Sequence, residues 1–411
     1  MHATPENNML EALRGWTRAE RHAVAASYLG WTLDAFDFFL LTFVVTDIAR
    51  EFGADVKTAT EAIFLTLALR PVGALLFGRL ADRFGRRPVL MIDVGLYAAF
   101  AFASAFSPNL AVFLVLRALF GIAMGGEWGV GASLTMETVR PEARGIVSGL
   151  LQSGYPMGNL IASLAYVLLY PVAGWRGLFL LGILPALLIL YIRRNVGESP
   201  GWNADRARES GLAAILRQHW RLAVYAVLLM MAFNFFSHGT QDLYPTFLKV
   251  DRGFQPHAIG LIVIVANVGA ILGGIVFGGL SQWFGRRRTL VVGAFLSLPV
   301  LPLWLYSESA LVLAIGAFAM QFMVQGCWGL VPAHLNELSP SEARGTFPGV
   351  VYQFGNFLAS RAAPLQAGLA VQYGSYAFAL AAVTAMAALG LAFLASIGRE
   401  AKEVDMQVMA T

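Results

Sequence analysis

The run Gly78-Arg79-Leu80-Ala81-Asp82-Arg83-Phe84-Gly85-Arg86-Arg87 returns 200 residues later as Gly278-Gly279-Leu280-Ser281-Gln282-Trp283-Phe284-Gly285-Arg286-Arg287. The same offset carries Trp128-Gly129, Glu137 and Glu142-Ala143-Arg144-Gly145 onto Trp328-Gly329, Glu337 and Glu342-Ala343-Arg344-Gly345. The 411-residue chain is therefore two similar halves. A long apolar chain built this way suggests a transporter in which one half rocks against the other.

Hydrophobic residues make up 57% of the chain and charged residues 13%. That leaves too little polar surface for a water-soluble protein of this length, so lipid is its main solvent. Twelve apolar stretches of about 20 residues, each long enough for a bilayer core of ~30 Å, begin near Ala23, Ala59, Val89, Leu110, Gly145, Gly174, Leu222, Ala258, Leu290, Leu311, Gly345 and Ser375. Backbone groups in hydrocarbon must bond internally, which favours helices over open strands, and the alternating ten-residue segments of a closed barrel are absent from this sequence. The expected fold is an all-α membrane protein of twelve transmembrane helices in two pseudo-symmetric six-helix bundles. The expected division is a tail (1–21), a first bundle (22–192), a linker (193–221), a second bundle (222–397) and a tail (398–411). Arg residues crowd alternate loops, including Arg83, Arg86, Arg87, Arg286, Arg287 and Arg288. That bias places both termini and the linker in the cytoplasm, with the chain in the cell membrane. No cleavable leader is evident. The stretch Leu212 to Trp220 reads as a short amphipathic helix on the inner surface.

The net charge of +4 sits in those loops and does not indicate nucleic acid. Cys327 is the only cysteine, so no intramolecular disulfide forms. No His/Cys grouping has metal-ligand spacing, and no nucleophile elbow or phosphate-binding loop is present. No metal, no cofactor and no enzyme activity are expected. Pro71, Pro156, Pro245, Pro299 and Pro364 lie inside apolar stretches and mark kinks.

An ionisable group at membrane depth costs a few kcal/mol, so each one is a functional candidate. Arg70 in the second span offers a planar fork for a carboxylate, or else a permanent partner for Asp34 or Asp37. Asp34 and Asp37, three apart in the first span, tend to keep one proton between them. His238 and Asp242 are four apart in the seventh span, on one helix face with Asn234, and can hold or share a proton. Gln353, Asn356 and Ser360 form a stripe near Arg361, and Gln152, Tyr155 and Asn159 form a matching row. Tyr155, Gln353 and Asn356 are placed to bond a ligand hydroxyl or keto oxygen, or to hold helices together. Arg117 and Arg361 rival Arg70. His334 with Glu337 reads as a latch or cap.

The loop Gly-x-Leu-x-Asp-Arg-x-Gly-Arg-Arg, its echo 200 residues on, Glu137 with Arg144, and Glu337 with Arg344 resemble the major facilitator superfamily over nearly the whole chain. Glu198-Ser199-Pro200 is similar to its sugar-porter branch. The resemblance implies the major facilitator fold and a gating latch of Asp82, Arg83, Arg86, Glu137, Arg144, Glu337 and Arg344. Symmetry fails at Gln282, at Ala317 (opposite Arg117) and at Cys327 (opposite Glu127), so the second-half latch is expected to be weaker. Asn234-Phe-Phe-Ser237-His238-Gly-Thr240-Gln241-Asp242-Leu-Tyr-Pro-Thr246 resembles the signature of the fungal lactate and pyruvate permeases (the Jen family), within the sialate/proton symporter group. Asp34-Ala-Phe-Asp37 is similar to aromatic-acid/proton symporters. Together these imply a monomeric carrier, with membrane lipid about it, that moves a small carboxylate anion with a proton by alternating access. In that reading Arg70, Tyr155, Asn234, His238, Gln353, Asn356 and Arg361 meet the substrate. Asp34, Asp37, His238 and Asp242 are the candidates for the proton. A sialic or aromatic acid carrier and a transporter-like sensor are the alternatives.

Overall fold

The computed structural model describes residues 15–203, 212–402 and 404–406. The expected tails and linker therefore fall partly outside the described residues. The first half comprises α1 (Arg18–Glu51), α2 (Val56–Ala68), α3 (Arg70–Phe84), α4 (Arg86–Ser104), α5 (Leu110–Thr138), α6 (Arg144–Gln152), α7 (Gly154–Leu180) and α8 (Pro185–Asn195). The second comprises α9 (Leu212–Gln241), α10 (Tyr244–Val250), α11 (Pro256–Phe284), α12 (Arg286–Ser297), α13 (Leu301–Leu305), α14 (Ala310–Trp328), α15 (Val331–Leu338), α16 (Phe347–Ala359), α17 (Ala362–Tyr373) and α18 (Tyr376–Ile397). Among the described residues there is no strand.

These helices make twelve spans. Among the described residues, nine stretches are each long and apolar enough to cross a membrane. One of them, Pro141–Asn195, turns back at Gly174, whose φ of +61° breaks the helix, so it counts as two. The first span, α1, carries Asp34 and Asp37 at mid-length, and the paired helices α16 and α17 complete the set. Leu212 to Trp220 is helical and runs on into the seventh span across a break at His219.

Proline explains most of the interruptions. A proline lacks the N–H that would reach the carbonyl four residues back, so the helix is weakened there. Pro156 fails Gln152, where α6 ends, and Pro245 fails Gln241, where α9 ends. Pro71, Pro332 and Pro364 do the same near the α2–α3, α14–α15 and α16–α17 junctions, and Pro299 lies in the 3-10 turn between α12 and α13. Within a half the helices pack backbone to backbone. A Cβ added at Gly125 of α5 would sit 2.1 Å from the Arg70 carbonyl, so α5 and α3 meet where only glycine fits.

The halves meet at the end that carries the two repeated loops, here called the latch end. Asp82 accepts from the Gly345 N–H at 2.7 Å and from the Thr346 N–H and hydroxyl at 3.0 and 2.5 Å. Arg86 holds Asp82 at 3.2 Å and Glu137 at 3.0 Å, and Arg344 reaches Glu137 across the interface at 3.9 Å. The second half repeats the pattern with less charge. Arg286 pairs with Glu337 at 2.8 Å, while Gln282 accepts one neutral bond from the Gly145 N–H at 3.3 Å. Glu198 takes the Arg86 N–H at 2.8 Å, and Ser199 donates to Glu137. Arg144 donates to the carbonyls of Met136 and Val404. Arg83 is exposed over the Phe84 ring.

Candidate functional site

Between the halves, beyond the latch end, lies a cavity of about 260 Å³. At ~30 Å³ per water it is room for several waters or one small solute. Each helix break brings polar side chains to it. The α2–α3 break delivers Arg70, the α6–α7 break delivers Gln152 and Tyr155, and the α9–α10 break delivers Asp242.

Arg70 is 2% exposed, and its Nε and one terminal nitrogen have no hydrogen-bond partner. Its ion pair to Asp34 is long, at 4.0 Å, so the fork remains free to take a second anion. Asp34 itself is fully buried behind Arg70 and does not line the cavity. Asp37, also buried, feels the charge of Arg117. Arg117 lies off the cavity, bonded to Ser104 at 2.7 Å and packed over the Phe120 ring.

Opposite Arg70, the seventh span contributes a linked polar set. His238 Nδ1 lies 3.2 Å from Asp242 Oδ1, and its Nε2 lies 3.2 Å from Asn356 Oδ1. The ring donates from both nitrogens when it carries two protons. With one proton, Asn356 must turn its amide to present an N–H instead. The His238 and Asp242 side chains keep 39% and 38% exposure, so both face open space in the cavity. Asn234 also lines it, donating to the Met230 carbonyl at 2.7 Å. Ser237 accepts from Gln241 and Gln325, which ties α9 to α14.

The structure thus brings Arg70, Tyr155, Asn234, His238, Asp242 and Asn356 around one chamber. It does not bring Gln353 or Arg361 there. Gln353 is buried with both amide atoms unpartnered, and Arg361 is exposed at the α16–α17 break. Sequence reasoning passed over Gln325 and Asp93, and noted Glu127 only as the residue opposite Cys327. Gln325 sits one turn from Gln321 in an otherwise apolar helix, and that spacing was the available signal. Asp93 and Glu127 are single acidic letters in apolar runs, and depth alone could have flagged them.

The cavity floor, toward the latch end, is aromatic. Trp31 stacks on Tyr155 with centroids 5.3 Å apart and meets Trp128 edge-on at 6.5 Å. Tyr352 bridges Trp128 and Trp328 at 4.7 and 5.5 Å. These rings draw on both halves, so this layer separates the cavity from the latch.

The Major Facilitator Superfamily model matches residues 27–247 and 243–405. The chain is 30% identical over 397 residues to the "Carboxylic acid transporter protein homolog" of Saccharomyces cerevisiae, covering 89% of this chain and 64% of that protein. It thus spans just under two thirds of that relative's length. It is 28% identical over 340 residues to the "Sialic acid transporter NanX" of Escherichia coli, covering 82% and 84% of the two chains. In fold it is similar to the proton:xylose symporter XylE, with a TM-score of 0.74 at 18% identity over 95% of this chain and 98% of that one. The human organic anion transporter MFSD10 gives 0.71 at 19% identity over 92% and 99%. Twelve spans in two repeated halves, a closed latch and a central cavity agree with these matches, and the chain belongs to the Major Facilitator Superfamily of membrane transporters.

Proposed function

We propose that this chain is a proton-coupled symporter of short monocarboxylates such as lactate or pyruvate. It works by rocker-switch alternating access in the cell membrane, as a monomer, with the latch end and both termini on the cytoplasmic face. The observation that carries this reading is Arg70, a buried guanidinium with unpartnered donors beside a small chamber that also holds His238 and Asp242. A carboxylate supplies the acceptors that this fork lacks. The yeast relative, named for carboxylic acids, supports the same class of ligand.

In this reading the anion docks on Arg70. Tyr155, Asn234, His238 and Asn356 bond its hydroxyl or keto oxygen. The proton enters at His238–Asp242 and is held there or at Asp34 or Asp37. With anion and proton both aboard, the cavity is close to neutral and can reorient at lower cost. Asp82, Arg83, Arg86, Glu137, Arg144, Glu337 and Arg344 form a latch that breaks when the cytoplasmic end opens.

The aromatic walls, Trp31, Phe38, Phe39, Tyr155, Trp328 and Tyr352, favour a second reading with a bulkier acid. Competition separates the two. Labelled lactate uptake into proteoliposomes should be inhibited by pyruvate more strongly than by benzoate or sialate. Stronger inhibition by benzoate or sialate selects the second reading. Binding of an acid without accumulation would leave only a sensor.

A further inference from the structure

The cavity mechanism leaves two buried carboxylates unused. Asp93 of α4 is 0% exposed and Glu127 of α5 is 1% exposed, and no oxygen of either has a hydrogen-bond partner. With Asp34 and Asp37 they make four acidic groups at mid-membrane in the first half. Arg70 and Arg117 are the two guanidinium groups among them. Arg117 serves Asp37, and Arg70 is shared between Asp34 and Glu127. Asp93 feels only like charge, from Glu127 and Asp34. Ionised carboxylates without a cation are too costly at this depth, so the excess must be carried as neutral acid.

The charged and titratable groups facing Glu127 come from three neighbouring helices. They are Asp34 from α1, Arg70 from α3, and Asp93 and Tyr97 from α4. Tyr97 is fully buried, and its hydroxyl also lacks a partner. Among the described residues no set of three or more His, Cys, Asp or Glu is arranged to hold a metal ion.

Position gives the cluster a direction. Glu127 lines a second, smaller chamber with Ser27, Trp31, Trp128, Leu151 and Pro332. Ser27 lies one turn from Trp31 toward the latch end, and Pro332 comes from the other half. The chamber thus sits on the latch side of the Trp31–Trp128 layer and across the interface between the halves. The Glu127 carboxylate fills the space beside Gly30, where a Cβ would lie 2.3 Å from its oxygen. The second half has Cys327 at the matching position, so this chemistry belongs to one half only.

We propose that Glu127, backed by Asp93 and Tyr97, is a second proton-holding site that passes the coupled proton to the latch-end chamber. This rests on the proton-coupled reading given above. Asp34 and Glu127 share Arg70, so an anion docked on Arg70 weakens the guanidinium's hold on both carboxylates and favours their protonation. By linkage, protonation in turn favours the anion. When the latch end opens, the Glu127 carboxyl gives its proton to water in the smaller chamber and is left as carboxylate facing Arg70.

Two measurements on the full chain test this. Infrared spectra of the purified protein at neutral pH should show protonated-carboxyl C=O bands that exchange slowly in heavy water, and Glu127→Gln should remove one of them. An unchanged band pattern overturns the inference whether or not lactate is the substrate. In proteoliposomes, Glu127→Gln should slow lactate counterflow modestly while cutting proton-driven accumulation about tenfold, equivalent to about 1.4 kcal/mol of lost coupling. Glu127→Asp, which keeps the carboxyl, should restore most of the accumulation. Equal loss of counterflow and accumulation in the Gln variant, or none in either, overturns the inference. Wild-type lactate transport without proton flux refutes the proton-coupled reading instead.

Discussion

Arg70 shows how a single side chain organises the site. It is held below the surface of the cavity by the α2–α3 break, with one long contact to Asp34 and donors left over. A lysine there would keep the charge and lose the fork. Arg70→Lys is expected to raise the KM for lactate about tenfold, roughly 1.4 kcal/mol, with a smaller effect on maximal rate. Unchanged uptake kinetics would remove Arg70 from the site. Asp242 answers to a different readout. Asp242→Asn keeps the shape and the contact with His238 but cannot carry a proton. It should abolish concentration driven by a pH gradient while leaving much of the lactate exchange. Equal, mild effects on both would make Asp242 a structural partner of His238.

These residues were legible because charge at membrane depth is costly and therefore conspicuous. Arg70 stood out singly and His238 with Asp242 as a pair one turn apart, and they share one chamber. Facing was harder to read. Gln353 and Asn356 are three apart on one helix, yet only Asn356 reaches the cavity, because rotation about α16 sets which of the two turns inward. Arg361 follows the α16–α17 break, where the stripe loses its register. Asp93 and Glu127 belong to no motif and gain meaning only when α4 and α5 are packed.

At the scale of elements, broken helices do the positioning. Regular helices would point the same side chains around the cylinder, whereas a proline four residues past a carbonyl frees the backbone at a chosen level. The prolines were visible in the sequence, and the pairing of breaks across the two halves was not. Close helix crossings fix the remaining geometry. A Cβ on Gly149 of α6 would lie 2.1 Å from the Gly274 carbonyl of α11, so the halves touch there backbone to backbone. Gly149→Trp should wedge them apart at the latch end, costing this facing about 1–3 kcal/mol. A cysteine at Ser237, in a Cys327→Ala background, would report the change. Its labelling by a membrane-impermeant maleimide should slow about tenfold when the wedge is present, the equivalent of about 1.4 kcal/mol. Equal labelling rates would mean that this crossing does not hold the facing.

Across the whole molecule, the two halves share an architecture and divide the chemistry. The repeat, the span count and the loops at the latch end were all readable as pattern. The division of labour was only hinted at, by Gln282 and Cys327. In the structure Asp82 makes three bonds to the opposite half where Gln282 makes one, so the contact across the interface is anionic on one side and neutral on the other. The unused carboxylates also lie in the first half, while the polar signature of His238 and Asp242 lies in the second. The cavity joins them, with Arg70 on one wall and the His–Asp pair on the other.

The account stands on the coupling of a proton to a carboxylate across that cavity. The direct test places purified protein in proteoliposomes holding a trapped pH dye, imposes an acid exterior, and follows labelled lactate and internal pH together. Lactate should accumulate above its external concentration while the interior acidifies faster than in protein-free vesicles, and an uncoupler should abolish the accumulation. Lactate that only equilibrates, or that accumulates with no added proton entry, would contradict the account.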